Sequence, residues 1–96
     1  VEGHTDNLPF NKNGLSNWEL SALRASAVAK YLIAKNDIEP GQIYAAGFGD
    51  TKPLAANDTP ENRALNRRID IKILYDNPSD YIPPDDILGV EKPNQD

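Results

Sequence analysis

The main helix of the fold is encoded by the stretch SNWELSALRASAVAKYLIA, which occupies residues 16–34. Ser16 and Glu19 form a capping-box pattern, in which each side chain can accept a hydrogen bond from the other residue's free backbone N–H. Apolar residues then recur at spacings of three and four, as on one face of a helix; they are Leu20, Leu23, Ala27, Val28 and Tyr31. We therefore predict a helix that begins near Asn17, ends near Ala34 and buries this face.

Arg24 interrupts that predicted apolar face. At about 100° per residue, it falls between Tyr31 and Val28 on the helical wheel. A guanidinium buried there is costly unless an anion and hydrogen bonds replace its hydration, so its head must reach solvent or meet an acceptor. Two explanations stay open on this pattern: a structural ion pair within the chain, or an anionic ligand.

Strands and a loop flank the helix. Residues 1–6 open as a strand, and residues 7–15 are rich in Asn, Pro and Gly, which favours turns and permits positive φ. Residues 42–48 form a short apolar run suited to a buried strand. Gly47 and Gly49 bracket its end, a pattern typical of backbones that approach each other closely.

A second, shorter helix and a third strand follow. Thr59, Pro60 and Glu61 supply a hydroxyl cap, a first-turn proline and an acid near the helix N-terminus, and we predict an end near Arg67. Isoleucines then alternate with charged residues over 69–73, which predicts a strand with one buried face beside the first strand. The element order predicts an α/β (α+β) two-layer sandwich with helices packed on one face of the sheet.

Composition excludes several classes of function. The chain has 96 residues, a net charge of -5 and no cysteine. Acidic residues outnumber basic ones, so we expect no nucleic-acid partner, and neither disulfides nor thiolate metal sites can form. We predict one domain over residues 1–75, followed by an acidic, proline-rich tail over 76–96 that is disordered or draped over the surface.

The residues with reactive side chains give weak enzymatic signals. His4 has no cysteine partners and no second histidine at metal-ligand spacing, so we predict no metal. Ser21, His4 and Asp6 could form a catalytic triad, but no nucleophile-elbow motif marks the serine. Asp6 could equally cap the turn that follows it. Residues 62–68 carry three arginines, one of which is expected to face inward.

Four separated motifs occur in the order found in one family. Together they resemble the OmpA-like peptidoglycan-binding domain of the OmpA/MotB family, and the loop before residue 16 resembles its flagellar stator branch. The matching segments lie at residues 1–6, 16–25, 47–53 and 57–68. That resemblance implies a mixed sheet, with a further strand and helix ahead of Val1. We therefore expect this sequence to be an N-terminally truncated form of the domain.

The resemblance also implies a ligand, the diaminopimelate residue of the peptidoglycan stem peptide. Asp6 would bind its ammonium group, and Arg24 its carboxylate. A free amino-acid end offers one cation and one anion, which suits a site with one residue of each sign, and arginine can hold a carboxylate with two hydrogen bonds.

Supporting contacts are implied in the same way. Asn17 would hydrogen-bond the stem peptide or shape the loop, Thr5 would donate a hydrogen bond, and either Arg67 or Arg68 would support the site. The resemblance implies no enzyme activity, no cofactor and no metal. It implies a periplasmic cell-wall anchor that can homodimerise and reaches the membrane only through segments outside this chain. A general Pal-like tether is the alternative, and an envelope hydrolase is a weaker one.

Overall fold

The computed structural model describes residues 1–74 and contains a mixed three-stranded sheet with two α-helices. Its elements, in chain order, are β1 (Glu2–His4), α1 (Asn17–Asn36), a 3₁₀ turn (Pro40–Gln42), β2 (Ala46–Gly47), α2 (Pro60–Asn66) and β3 (Arg68–Asp70). The strand order is β2-β1-β3, with β1 parallel to β2 and antiparallel to β3. The α+β fold and the placement of the third strand beside the first are confirmed. The predicted tail lies outside the described residues.

The start of α1 is set by its capping box. The Ser16 hydroxyl accepts a hydrogen bond from the Trp18 backbone N–H at 3.2 Å, and the Glu19 carboxylate accepts one from the Ser16 N–H at 2.8 Å. Glu19 also accepts a hydrogen bond from the Ser16 hydroxyl, and these hydrogen bonds lower the pKa of Glu19 below its ordinary value. The helix ends before Asp37, which adopts a left-handed conformation with φ of 52°. The predicted helix start is confirmed, and the end lies two residues beyond Ala34.

The predicted buried face of α1 is wrong at three of its five positions, because Leu23, Ala27 and Tyr31 are exposed. Leu23 and Tyr31 are 57% and 62% exposed, and Arg24 is exposed as well. The face that contacts the sheet is instead made of small residues; the buried ones are Ser21, Ala25 and Ala29. Arg24 therefore does not lie in a buried apolar stripe, and the energetic reasoning that singled it out on the helical wheel does not hold.

Small residues face the sheet because the helix and two strands are in very close contact. A Cβ atom added to Gly3 would lie 2.1 Å from the Ser21 carbonyl oxygen, and one on Gly47 would lie 2.5 Å from the Ala22 backbone nitrogen. No room remains for leucine or tyrosine at this contact. The close approach predicted around residues 47–49 is thus confirmed. Larger apolar side chains pack at its margin, around Val1, Ala25 and Ala29; they are Val28, Leu32, Ile43 and Ile69.

The strands are shorter than predicted. β2 is limited to two residues of the apolar run 42–48, and Tyr44 is exposed. β3 ends at Asp70, which pairs with Glu2, the first residue of β1. The isoleucines that follow Asp70 therefore have no partner residue in β1. Ile71 and Ile73 are exposed and line an open cleft of about 560 Å³. Within residues 1–74, no helix is long and apolar enough to cross a membrane.

Asn66, the last residue of α2, is fully buried and fastens the preceding loop. Its Oδ1 accepts hydrogen bonds from the Leu54 and Ala55 backbone N–H groups at 2.7 and 3.0 Å. Its amide nitrogen donates to the Ala55 carbonyl at 2.9 Å and to the Asn57 side chain at 2.8 Å. The side chain is fully satisfied, and it sets where the chain leaves α2 toward Arg67.

The glycine contact yields the first prediction. Gly47→Ala should lower the free energy of unfolding by about 2–3 kcal/mol, because the added methyl meets helix backbone that cannot move aside without repacking. Gly41→Ala is the matched control, since a Cβ there has nothing within 4 Å. Urea unfolding measures both, and equal stabilities for the two variants would contradict the close packing.

The loop anchor yields a second prediction. Asn66→Ala should cost about 3 kcal/mol of unfolding free energy, because two backbone N–H groups lose their acceptor in a partly buried setting. Asn62→Ala is the control: its amide makes one exposed hydrogen bond, to Asp58 at 3.0 Å. Thermal and urea unfolding should leave the control within about 0.5 kcal/mol of the parent chain. A similar loss in both variants would refute the role of Asn66 as an anchor.

Candidate functional site

Asp6 lies just beyond the end of β1, and its carboxylate is already paired. The Leu8 backbone N–H donates to Oδ1 at 3.1 Å, and Arg67 Nη1 donates to Oδ2 at 2.6 Å. The carboxylate side chain is 9% exposed, whereas the Arg67 side chain is 46% exposed. The turn-capping role considered for Asp6 is therefore real, and it coexists with an ion pair that joins β1 to the end of α2.

Thr5 holds the backbone on which Asp6 sits. Its hydroxyl donates to the Asp6 carbonyl at 2.8 Å, and its backbone N–H donates to the Gly49 carbonyl at 2.8 Å. The residue is buried. Both donors are used within the chain, so a hydrogen bond from Thr5 to a ligand would have to replace one of these two contacts.

Asn17 connects this region to the start of α1. Its side-chain amide donates to the Leu8 carbonyl at 3.1 Å, in the same loop that caps Asp6. Farther along the loop, Asn13 and Gly14 adopt positive φ values of 55° and 75°, as the turn-rich composition predicts. Asn17 thus shapes the loop, one of the two roles expected for it.

Arg24 lies on the same side of α1 as Asn17. The two are seven residues apart, close to two full turns and about 10 Å along the helix axis. Its side chain is exposed, and no salt bridge within residues 1–74 neutralises it. An exposed guanidinium on this side of the helix can accept an anion from solvent without first breaking an ion pair in the described part of the chain.

The two adjacent arginines point to different partners. Arg67 contacts Asp6, whereas Arg68 Nε contacts the Asp70 carboxylate oxygens at 3.2 and 3.1 Å. The Arg68 Nη2 atom also donates to the Lys52 carbonyl at 3.1 Å. Arg67 is the C-cap of α2 and Arg68 is the first residue of β3, so the two side chains leave the backbone from different elements. Arg67 is the arginine at the candidate site, and Arg68 belongs to a separate cluster.

The catalytic triad considered from the sequence is not assembled. The Ser21 hydroxyl lies between α1 and the sheet, donating to the Trp18 carbonyl and accepting from the Gly49 N–H, both at 2.9 Å. His4 points to the opposite face of the sheet and stacks on Phe48, with ring centroids 5.2 Å apart. Ser21 is a buried structural hydroxyl, and Asp6 is turned toward Arg67.

The site therefore combines fixed charges without a reactive pair. Asp6 and Arg67 supply a carboxylate and a guanidinium in direct contact, and Arg24 supplies a second, exposed guanidinium on the same side of α1 as Asn17. Such a group can bind a small molecule that carries both charges, but it offers no nucleophile joined to a base. The sequence did not identify Asn66 as a residue that supports the site, which it does indirectly by anchoring the chain ahead of Arg67. Its position directly before two arginines was the only local feature that could have drawn attention to it.

Comparison with known proteins places this geometry in a family. The OmpA family model matches residues 1–67. Motility protein B of Bacillus subtilis (strain 168) is 41% identical over 75 residues, covering 77% of this chain and 29% of that protein. Peptidoglycan-binding protein ArfA of Mycobacterium tuberculosis (strain ATCC 25618 / H37Rv) is 42% identical over 73 residues, covering 76% of this chain and 21% of that protein.

A solved structure shares the fold. The periplasmic domain of Helicobacter pylori MotB is 39% identical and superposes with a TM-score of 0.61, covering 69% of this chain and 42% of that one. The chain spans less than a third of the length of the two relatives compared by sequence. The match over residues 1–67, together with the shared mixed sheet, shows that the chain belongs to the OmpA family.

Proposed function

We propose that this domain binds peptidoglycan non-covalently through the diaminopimelate residue of the stem peptide, and so anchors an envelope protein to the cell wall. The observation that carries the proposal is a fixed carboxylate at Asp6 beside a loop that Asn17 ties to α1, with the exposed Arg24 on the same side of that helix. Relatives named Motility protein B and peptidoglycan-binding protein ArfA support it.

Asp6 is the group proposed to bind the ligand's ammonium. An ionised carboxylate offers about four lone-pair sites, and two of its hydrogen bonds are filled, by Leu8 and Arg67. An incoming ammonium can add to the free sites while Arg67 keeps the carboxylate in place. The low exposure of Asp6 favours a strong contact, since charges interact more strongly where water is excluded.

Arg24 is the group proposed to bind the ligand's carboxylate. Its exposure means that the free domain does not bear the cost of a buried unpaired guanidinium. An exposed ion pair contributes only about 0–1 kcal/mol, so Arg24 is expected to contribute less than Asp6 unless the bound peptide excludes water from it. Its role is selective: it distinguishes a stem peptide that ends in a zwitterion from one that offers only an amine.

The proposed mechanism is attachment in the periplasm, with no bond made or broken. The parent protein would be a flagellar stator of the Motility protein B type, and homodimerisation is proposed on the same grounds. A general Pal-like tether uses the same site chemistry, so the two differ only in the segments joined to this domain. The separation of Ser21, His4 and Asp6 disfavours the hydrolase alternative.

Retention on purified sacculi that contain diaminopimelate tests the two charged residues. Asp6→Asn should make the binding free energy for sacculi less favourable by about 2–3 kcal/mol, because the desolvated ion pair between the carboxylate and the ligand's ammonium is lost. Arg24→Ala should weaken it by about 1 kcal/mol. Lys30→Ala is the control, since it removes an exposed positive charge from the same helix. Parent-like retention of both variants, with the circular dichroism spectrum unchanged, would remove the site assignment.

Calorimetry with two stem peptides tests the proposed specificity. The diaminopimelate peptide should bind about fivefold more tightly than its lysine analogue, which keeps the ammonium but lacks the second carboxylate. Arg24→Ala should reduce the affinity for the diaminopimelate peptide to that for the lysine peptide and leave the latter unchanged. If Arg24→Ala lowered the affinity for both peptides equally, Arg24 would not bind the second carboxylate of diaminopimelate.

A further inference from the structure

A second charged cluster lies on the sheet face that points away from α1. Glu2 and His4 are two residues apart on β1, and Asp70 is paired with Glu2 on β3, so their side chains share this face. The His4 Nε2 atom lies 3.3 Å from Asp70 Oδ2 and 3.8 Å from Glu2 Oε1. One ligand atom from each of the three residues lies within 4.8 Å of the others.

His4 is unusually placed for a structural histidine. It is 3% exposed, and neither ring nitrogen has a hydrogen-bond partner among residues 1–74. A buried polar atom without a partner is destabilising. Burial and the nearby Arg68 lower the pKa of His4 below its ordinary value.

We propose that Glu2, His4 and Asp70 form a binding site for a divalent transition-metal cation of the zinc type. Zinc bonds to histidine nitrogen and carboxylate oxygen are about 2.0–2.2 Å long, which places the ligand atoms of a tetrahedral site about 3.3–3.5 Å apart. The His4–Asp70 separation of 3.3 Å falls in that range, and the His4–Glu2 separation of 3.8 Å exceeds it by a few tenths of an ångström. The imidazole favours zinc over magnesium and calcium, which prefer oxygen ligands alone.

Two basic side chains contact the carboxylates, and they differ in how they would respond to an arriving cation. Lys72 Nζ lies 3.3 Å from Glu2 Oε1, but its side chain is 62% exposed and can swing into solvent when a cation arrives. Arg68 Nε lies within 3.2 Å of both Asp70 oxygens and is more buried. It can remain as an outer hydrogen-bond donor that orients the Asp70 carboxylate, a common arrangement around metal ligands.

Zn²⁺ titration of the whole 96-residue chain against a chromogenic chelator tests the site. We expect one ion per chain, no competition from Mg²⁺, and a shift of the His4 ring signals in the NMR spectrum. Asp70→Asn and His4→Gln should each weaken binding by about tenfold or more. No stoichiometric uptake, or uptake that Asp70→Asn leaves unchanged, would overturn the proposal.

Lys72→Ala supplies a test that does not depend on the fold tolerating a change at His4. Removing the competing ammonium should tighten Zn²⁺ binding by about threefold to tenfold. Lys35→Ala, which removes an exposed charge at the end of α1, should leave it unchanged. Equal affinities in the Lys72→Ala variant and the parent chain would show that the ion binds elsewhere.

Discussion

The contact on which the rest of the structure depends is the close approach of α1 to two strands of the sheet. At Gly3 and Gly47 the backbone of the sheet comes so near the helix that a single methyl group would meet the backbone of Ser21 or Ala22. The contact is backbone against backbone, so rearranging side chains cannot relieve a change there. It fixes both the distance and the rotation of the helix relative to β1.

That rotation determines which residues of α1 reach the candidate site. With Ser21 turned into the sheet, Asn17 contacts the loop that follows Asp6, and Arg24 lies about two turns farther along the same side of the helix. The Ser21 hydroxyl strengthens the arrangement by accepting the Gly49 N–H, while the Gly49 carbonyl accepts the Thr5 N–H. The hydrogen bonds that hold the backbone of Asp6 therefore begin at the same helix that carries Arg24.

Local signals in the sequence were sufficient for the helices and loops. The capping box at Ser16 and the Thr59–Pro60 start encode short-range hydrogen bonds that form in almost any context, and both helices begin where predicted. The buried face of α1 failed because size, not hydrophobicity, selects residues at a glycine-lined contact. A helical wheel weighs Leu23 above Ala25, but only alanine fits there.

Long-range pairings in the candidate sites were beyond sequence reasoning for a related reason. The choice between Arg67 and Arg68 depends on where α2 ends and β3 begins, and Asn66, the last residue of α2, anchors that boundary. His4 has no partner at a recognisable spacing because Asp70 comes from another strand and joins it only through register. A sequence-spacing motif can identify metal ligands that lie in the same helix, strand or loop. It cannot identify ligands that come from different strands and meet only when the sheet forms.

The pairing of Asp6 with Arg67 rather than Arg24 has a consequence for binding. One carboxylate and two guanidiniums leave this group with a formal charge of +1 in a chain whose net charge is -5. If Asp6 and Arg24 formed an ion pair with each other, a zwitterionic ligand would first have to break that pair. Its own ion pairs with the two residues would then largely replace the interaction that was lost. Asp6 is instead paired with Arg67, and the exposed Arg24 makes no ion pair among residues 1–74, so an anion that approached Arg24 would not have to displace a described partner.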